Sequence, residues 1–167
     1  GVGRARLGRP GRFVMRLSGL LASIAAILAV TLLPWSNFVG HSHWGQVQWL
    51  PFYGRRLDWF DMAANVALFV PLGYFAGGFS SARLRMNRTL WVLLGATLLS
   101  TSVELMQVYS HRRFPSATDI CCNVAGAALG LMLAAGRFMI LRDINLAVAK
   151  SSRRKPNPPI DAQDDIR

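Results

Sequence analysis

The chain has 167 residues, a length that suits one ordinary domain, yet 52% of it is apolar and its mean hydropathy is +0.30. That balance points to a membrane setting. The net charge of +11 is scattered along the rims of apolar stretches and accompanies no nucleic-acid-binding motif, so anionic lipid headgroups explain it and a nucleic-acid partner is excluded.

Residues 1–16 form a basic N-terminal segment carrying Arg4, Arg6, Arg9, Arg12 and Arg16. The first apolar segment, Leu17 to Leu33, exceeds a signal-peptide core and is followed by no clear small-x-small cleavage site, which predicts a retained anchor. Three more apolar segments follow, at Ala63 to Phe79, Leu90 to Val108 and Ile120 to Leu141. Each is long enough, or nearly so, to cross about 30 Å of hydrocarbon at ~1.5 Å per residue. The expected fold is therefore all-α, a polytopic membrane protein with four transmembrane helices within residues 17–145. Residues 146–167 are expected to form a disordered cytoplasmic tail, because from Lys150 onward the chain is rich in charge and Pro and lacks hydrophobic periodicity.

Basic residues set the expected orientation. Fifteen of the 19 Lys and Arg lie before the first segment, between the second and third, or at the end of the fourth and beyond. Arg55, Arg56, Arg112 and Arg113 are the four on the other side. The positive-inside rule then places both termini in the cytoplasm of a cell whose inner membrane holds the protein. The outward loop from Trp35 to Phe60 carries Trp35, Phe38, Trp44, Trp49, Phe52, Tyr53 and Trp59, rings that prefer headgroup depth, and Trp91 marks the opposite interface. His41, His43 and His111 share the outer side, but His41-x-His43 has no definite third and fourth ligand, so neither a metal nor a cofactor is expected. Cys121 and Cys122 are adjacent in a helix, cannot form a normal disulfide with each other, and read as small buried apolar residues.

A repeat dominates the remaining signal. Asp61-x-x-x-Asn65-Val66-Ala67 recurs as Asp119-x-x-x-Asn123-Val124-Ala125, each time at the mouth of an apolar stretch. An Asp at the bilayer centre costs about 2.5–3.5 kcal/mol on insertion scales, so two matching pairs suggest a site. The plainer explanation is that Asp caps a helix and Asn bonds a neighbouring helix. Asp61, Asn65, Leu68 and Leu72 share one helical side, as do Asp119, Asn123, Gly126 and Gly130. Gly126-x-x-x-Gly130, extended by Ala134, permits close helix approach, and Gly73-x-x-x-Gly77 offers a like surface below Pro71, which is expected to kink its helix. In the third segment Thr97, Thr101, Glu104, Gln107 and His111 fall along one side, with Glu104 and Gln107 near the outer end. Carboxylates and amides from three helices thus share a depth, and Arg113 is the nearby cation that would offset the cost of burying Glu104 or Asp119.

These residues resemble the signatures of the VanZ-like membrane proteins. The first is Asp61-x-x-x-Asn65-x-x-x-Phe69-x-Pro71-Leu72-Gly73. The second joins Glu104-x-x-Gln107, Arg113 and Asp119-x-x-x-Asn123-x-x-Gly126-x-x-x-Gly130, so the likeness runs from about Leu57 to Leu133. Many members carry a further acid shortly before the second Asp, where this chain has Phe114-Pro115-Ser116-Ala117-Thr118. The family is named for a protein associated with teicoplanin resistance. The resemblance implies a bacterial cell-envelope role with a family-level link to glycopeptides, while resistance by this chain does not follow from it.

Two function classes stay open. One is a non-catalytic envelope factor in which Asp61, Asn65, Glu104, Gln107, Arg113, Asp119 and Asn123 form an outer-leaflet pocket for a lipid headgroup, a cell-wall intermediate or a partner helix, including an oligomeric one. The other is a small intramembrane enzyme acting on a phospholipid or polyprenyl-linked substrate, with Glu104 or Asp119 as general base and Arg113 holding phosphate. That chemistry needs a nucleophile or metal that no motif supplies, and the signatures of the common membrane phosphatases, transferases and proteases are missing. The binding class is therefore favoured.

Overall fold

Without water to satisfy them, backbone polar groups in lipid must bond within their own segment, and the apolar stretches accordingly become helices. The computed structural model describes residues 9–53, 58–78, 85–110 and 114–153. Among them are four α-helices and no strand: α1 (Arg9–Leu32), α2 (Trp59–Gly77), α3 (Arg85–Gln107) and α4 (Ala117–Arg153). All four are long and apolar enough to cross a membrane, so the chain is a multi-pass membrane protein.

Two boundaries differ from expectation. α1 starts at Arg9 rather than Leu17, with Pro10 in the first turn, where its missing N–H breaks no intrahelical bond. α4 runs to Arg153, so residues 146–153 are helical where a disordered tail is expected. The run Leu146-Ala147-Val148-Ala149-Lys150 contains several good helix formers and no Gly or Pro to stop it. Residues 154–167 lie outside those described. α2 continues unbroken through Pro71.

The chain divides into two compact units, residues 1–135 and 136–167. The described part of the second is helix, and its Phe138, Ile140, Ile144, Leu146 and Val148 are exposed. In the first unit α1, α2 and α3 pack against one another. Ile27 from α1, Phe69 and Leu72 from α2, Ala96 from α3 and Ala127 from α4 form its buried apolar core. The α2–α4 seam is closer still. A Cβ added at Gly126 would land on the Val66 carbonyl oxygen, one at Gly130 on the Val70 carbonyl oxygen, and one at Gly73 on the Ala127 carbonyl oxygen. Only glycine admits that backbone-on-backbone contact. Because Val66 meets Gly126 and Val70 meets Gly130, the two helices run parallel and begin side by side.

The segment after α1 holds two short 3-10 turns, Trp35–Asn37 and Trp44–Gln46. It is laced to the α3–α4 corner by backbone hydrogen bonds. Val39 N–H donates to the Tyr109 carbonyl (2.8 Å) and His43 N–H to that of Val108 (2.9 Å). Further along, Gln48 N–H donates to the Pro115 carbonyl and Ala117 N–H returns to that of Gln48, both at 2.9 Å. Trp35, Trp49, Tyr53, Trp59 and Phe60 remain exposed around this end, a distribution suited to headgroup depth.

Candidate functional site

The two halves of the repeat begin their helices in the same way. Asp58 is the N-cap of α2, and its side chain accepts from Phe60 N–H at 2.8 Å. Ser116 immediately precedes α4, and its hydroxyl accepts from Thr118 N–H at 3.1 Å. Asp61 and Asp119 are therefore not caps. Each is the third residue of its helix, where the positive end of the helix dipole favours a carboxylate. The repeat is longer than its signature: a capping side chain, an acid three residues on, and an amide four beyond that.

From this common start the halves diverge. Asp61 is exposed and Asn65 half-buried, whereas Asp119 is half-buried and Asn123 is 3% exposed. Asn123 Nδ2 donates to Ser100 Oγ on α3 at 2.9 Å, while its Oδ1 is buried with no hydrogen-bond partner. Half of this amide is paired and half is not, and a lone buried acceptor carries a cost of about 1–3 kcal/mol.

The end of α3 holds the other polar groups. Glu104 is 7% exposed, and its Oε2 accepts from Ser116 N–H at 2.8 Å, tying the last turn of α3 to the residue that caps α4. Gln107, 4% exposed, donates from Nε2 to the Thr31 carbonyl of α1 at 3.1 Å. A carboxylate in the last turn of a helix faces the negative end of the dipole, and burial adds desolvation. Glu104 is thus placed against both local rules.

Glu104, Gln107 and Asn123 are joined to neighbouring elements through Ser116, Thr31 and Ser100 respectively. Asp61 and Asn65 enter none of these bonds, although the parallel register of α2 and α4 brings Asp61 to nearly the depth of Asp119. Arg113, with His111 and Arg112, lies outside the described residues. The His41 and His43 rings are 4.7 Å apart, and His43 Nδ1 lies 3.2 Å from the carbonyl oxygen of Val108, the residue after Gln107. Both cysteines are free.

Sequence reasoning missed three hydroxyls. Ser100 is fully buried against Asn123, Ser116 caps α4, and Thr118, 3% exposed, accepts from Phe52 N–H at 2.9 Å. Phe52 takes a left-handed φ of 56°, unusual for a bulky side chain, so that bond holds a strained point of the loop. Ser116 was findable, since Ser-x-x-Asp before an apolar run is a helix-start pattern.

In comparison with known proteins, a family model described as VanZ/LLP1 matches residues 20–141. No curated protein and no solved structure matches the chain. The match takes in α2 and α3 whole and the larger part of α1 and of α4, and the chain belongs to the VanZ/LLP1 family.

Proposed function

We propose that this VanZ/LLP1-family membrane protein is a non-catalytic cell-envelope factor that binds a lipid headgroup or lipid-linked cell-wall intermediate at the end where α2 and α4 begin. The observation that carries the reading is Glu104, a buried carboxylate in the last turn of a membrane-spanning helix. A neutral amide could accept the same Ser116 N–H bond without the desolvation and dipole cost of a carboxylate, so it is the charge itself that supports a binding role. Asn123 supports the same reading, since its unpartnered Oδ1 suits a ligand hydroxyl or ammonium. Asp61, Asn65, Gln107, Arg113 and Asp119 complete the proposed site.

This end faces outward, into the outer leaflet of the cytoplasmic membrane, and both termini are cytoplasmic. The fifteen-to-four division of basic residues supports that orientation. An amine- or hydroxyl-bearing headgroup would meet acceptors on Asn123, Asp119 and Glu104 in a medium of low dielectric, where such bonds strengthen.

The test is purification in mild detergent followed by mass spectrometry of the lipids that remain bound. Enrichment of one headgroup class, or of a polyprenyl-phosphate or lipid-linked sugar, is expected for the wild type and is lost in Asn123→Leu. A wild-type profile matching the bulk membrane would refute the proposal.

A further inference from the structure

The opposite end of the bundle carries a second polar arrangement that this function does not use. Arg16 of α1 and Arg88 of α3 both lie against the last turn of α2. A Cβ at Gly78, the residue that ends α2, would come 2.7 Å from Arg16 Nε and 2.9 Å from Arg16 Cδ, so the guanidinium stem lies directly over that glycine. Arg88 Nη2 donates to the Ala76 carbonyl oxygen. Its other terminal nitrogen, Nη1, is buried with no hydrogen-bond partner. Both guanidinium groups thus stand at the same end of α2, where like charges repel. Capping the α2 carbonyls explains one arm of Arg88, but not the stranded Nη1 or the second guanidinium held beside it.

An acceptor carrying negative charge would resolve both features. Guanidinium groups present fixed forks of N–H donors that match the oxygens of a phosphate, and two of them converging on one anion replace mutual repulsion with attraction. Gly78 admits the Arg16 side chain this close to the helix end, since a Cβ there would press on its Nε and Cδ. We propose that Arg16 and Arg88 form a phosphate-recognising site at the α1–α3 end of the first unit. Its ligand is a phosphate ester or phosphate ion, and the headgroup of an anionic phospholipid is the source nearest to hand in a membrane.

The full-length protein in detergent tests this by thermal unfolding with phosphatidylglycerol, phosphatidylcholine or inorganic phosphate added. A ligand at ten times its Kd should raise the wild-type Tm by about 3–6 °C. The proposal expects that rise with phosphatidylglycerol if the site takes a lipid headgroup, or with inorganic phosphate if it takes the free ion. In either case Arg16→Gln abolishes the shift while Arg12→Gln, an exposed arginine one turn away, retains it. Arg88→Gln should abolish it too, but because Arg88 also caps α2, Arg16→Gln is the deciding variant. Equal shifts in wild type and Arg16→Gln with every additive, or no shift with any of them, would overturn the proposal.

Discussion

Replacing Gly130 by Ala should destabilise the protein, whereas the same change at Gly95 should not. A Cβ at Gly130 would land on the Val70 carbonyl oxygen and come 2.6 Å from Tyr74 N and 3.0 Å from Gly73 C. All three obstacles are backbone atoms of α2, which cannot swing aside as a flexible side chain would. The helices must separate, and separation forfeits dispersion contacts along the whole seam, including those at Gly73 and Gly126. Overpacking costs about 1–3 kcal/mol, and obstacles that are all backbone put Gly130 in the upper part of that range, about 2–3 kcal/mol, against which Ala regains roughly 1 kcal/mol of helix propensity. A net loss of about 1–2 kcal/mol should lower the Tm by roughly 2–8 °C for a chain of this size. At Gly95, within α3, no atom lies within 4 Å of the added Cβ, so only the propensity gain remains and the Tm should rise slightly. Gly126→Ala with Gly130→Ala should cost less than the sum of the two, because one separation relieves both clashes. Thermal unfolding in detergent measures all four variants. A Gly130→Ala protein as stable as wild type, or strict additivity at the seam, would refute the close-contact account.

Two further predictions address site and topology. Glu104→Gln keeps an acceptor for Ser116 N–H and removes a charge from the negative end of α3, so these terms offset and the Tm should fall by less than about 3 °C while lipid enrichment is lost. Glu104→Ala leaves that N–H unpaired and should cost about 1–3 kcal/mol; a large Tm loss in Glu104→Gln with enrichment intact would show a structural role instead. In a background lacking Cys121 and Cys122, an impermeant thiol reagent applied to intact cells should modify Gln46→Cys and spare Met86→Cys, and the reverse pattern would invert the proposed orientation.

The helices are legible in the sequence because lipid leaves few alternatives to them, and the α2–α4 seam is half legible in its glycine spacing. Gly73, Gly126 and Gly130 announce close approach but not which helix approaches, since spacing describes one surface at a time. Periodicity places Thr97 and Thr101 on the polar side of α3, yet the buried line runs through Ala96, Ser100, Val103, Glu104 and Gln107. Thr97 instead bonds its own helix at the Leu93 carbonyl. A hydroxyl that can satisfy itself locally gives no reliable sign of which way it faces. The loop is the least legible element. Aromatic residues mark its depth, but backbone N–H and carbonyl groups attach it to the α3–α4 corner, and these are the same for every residue type.

The repeat itself shows why local and tertiary signals must be read separately. Counting from each Asp, Leu68 and Leu72 of α2 correspond to Gly126 and Gly130 of α4. The capping residue and the acid at the third position encode the start of a helix, and that part is shared. Beyond it, α2 uses large residues to fill the core, with Leu72 buried, while α4 removes its side chains so that α2 can lie against it. The amides follow the packing. Asn123 lies on a face covered by α3 and meets Ser100, and Asn65 remains half-buried. Chemistry that depends on the local start is therefore available at both Asp61 and Asp119. Chemistry that depends on a buried, half-paired amide is available only at Asn123 among the two, so the proposed headgroup binding falls to the α4 half, while the α2 half exposes a carboxylate at Asp61.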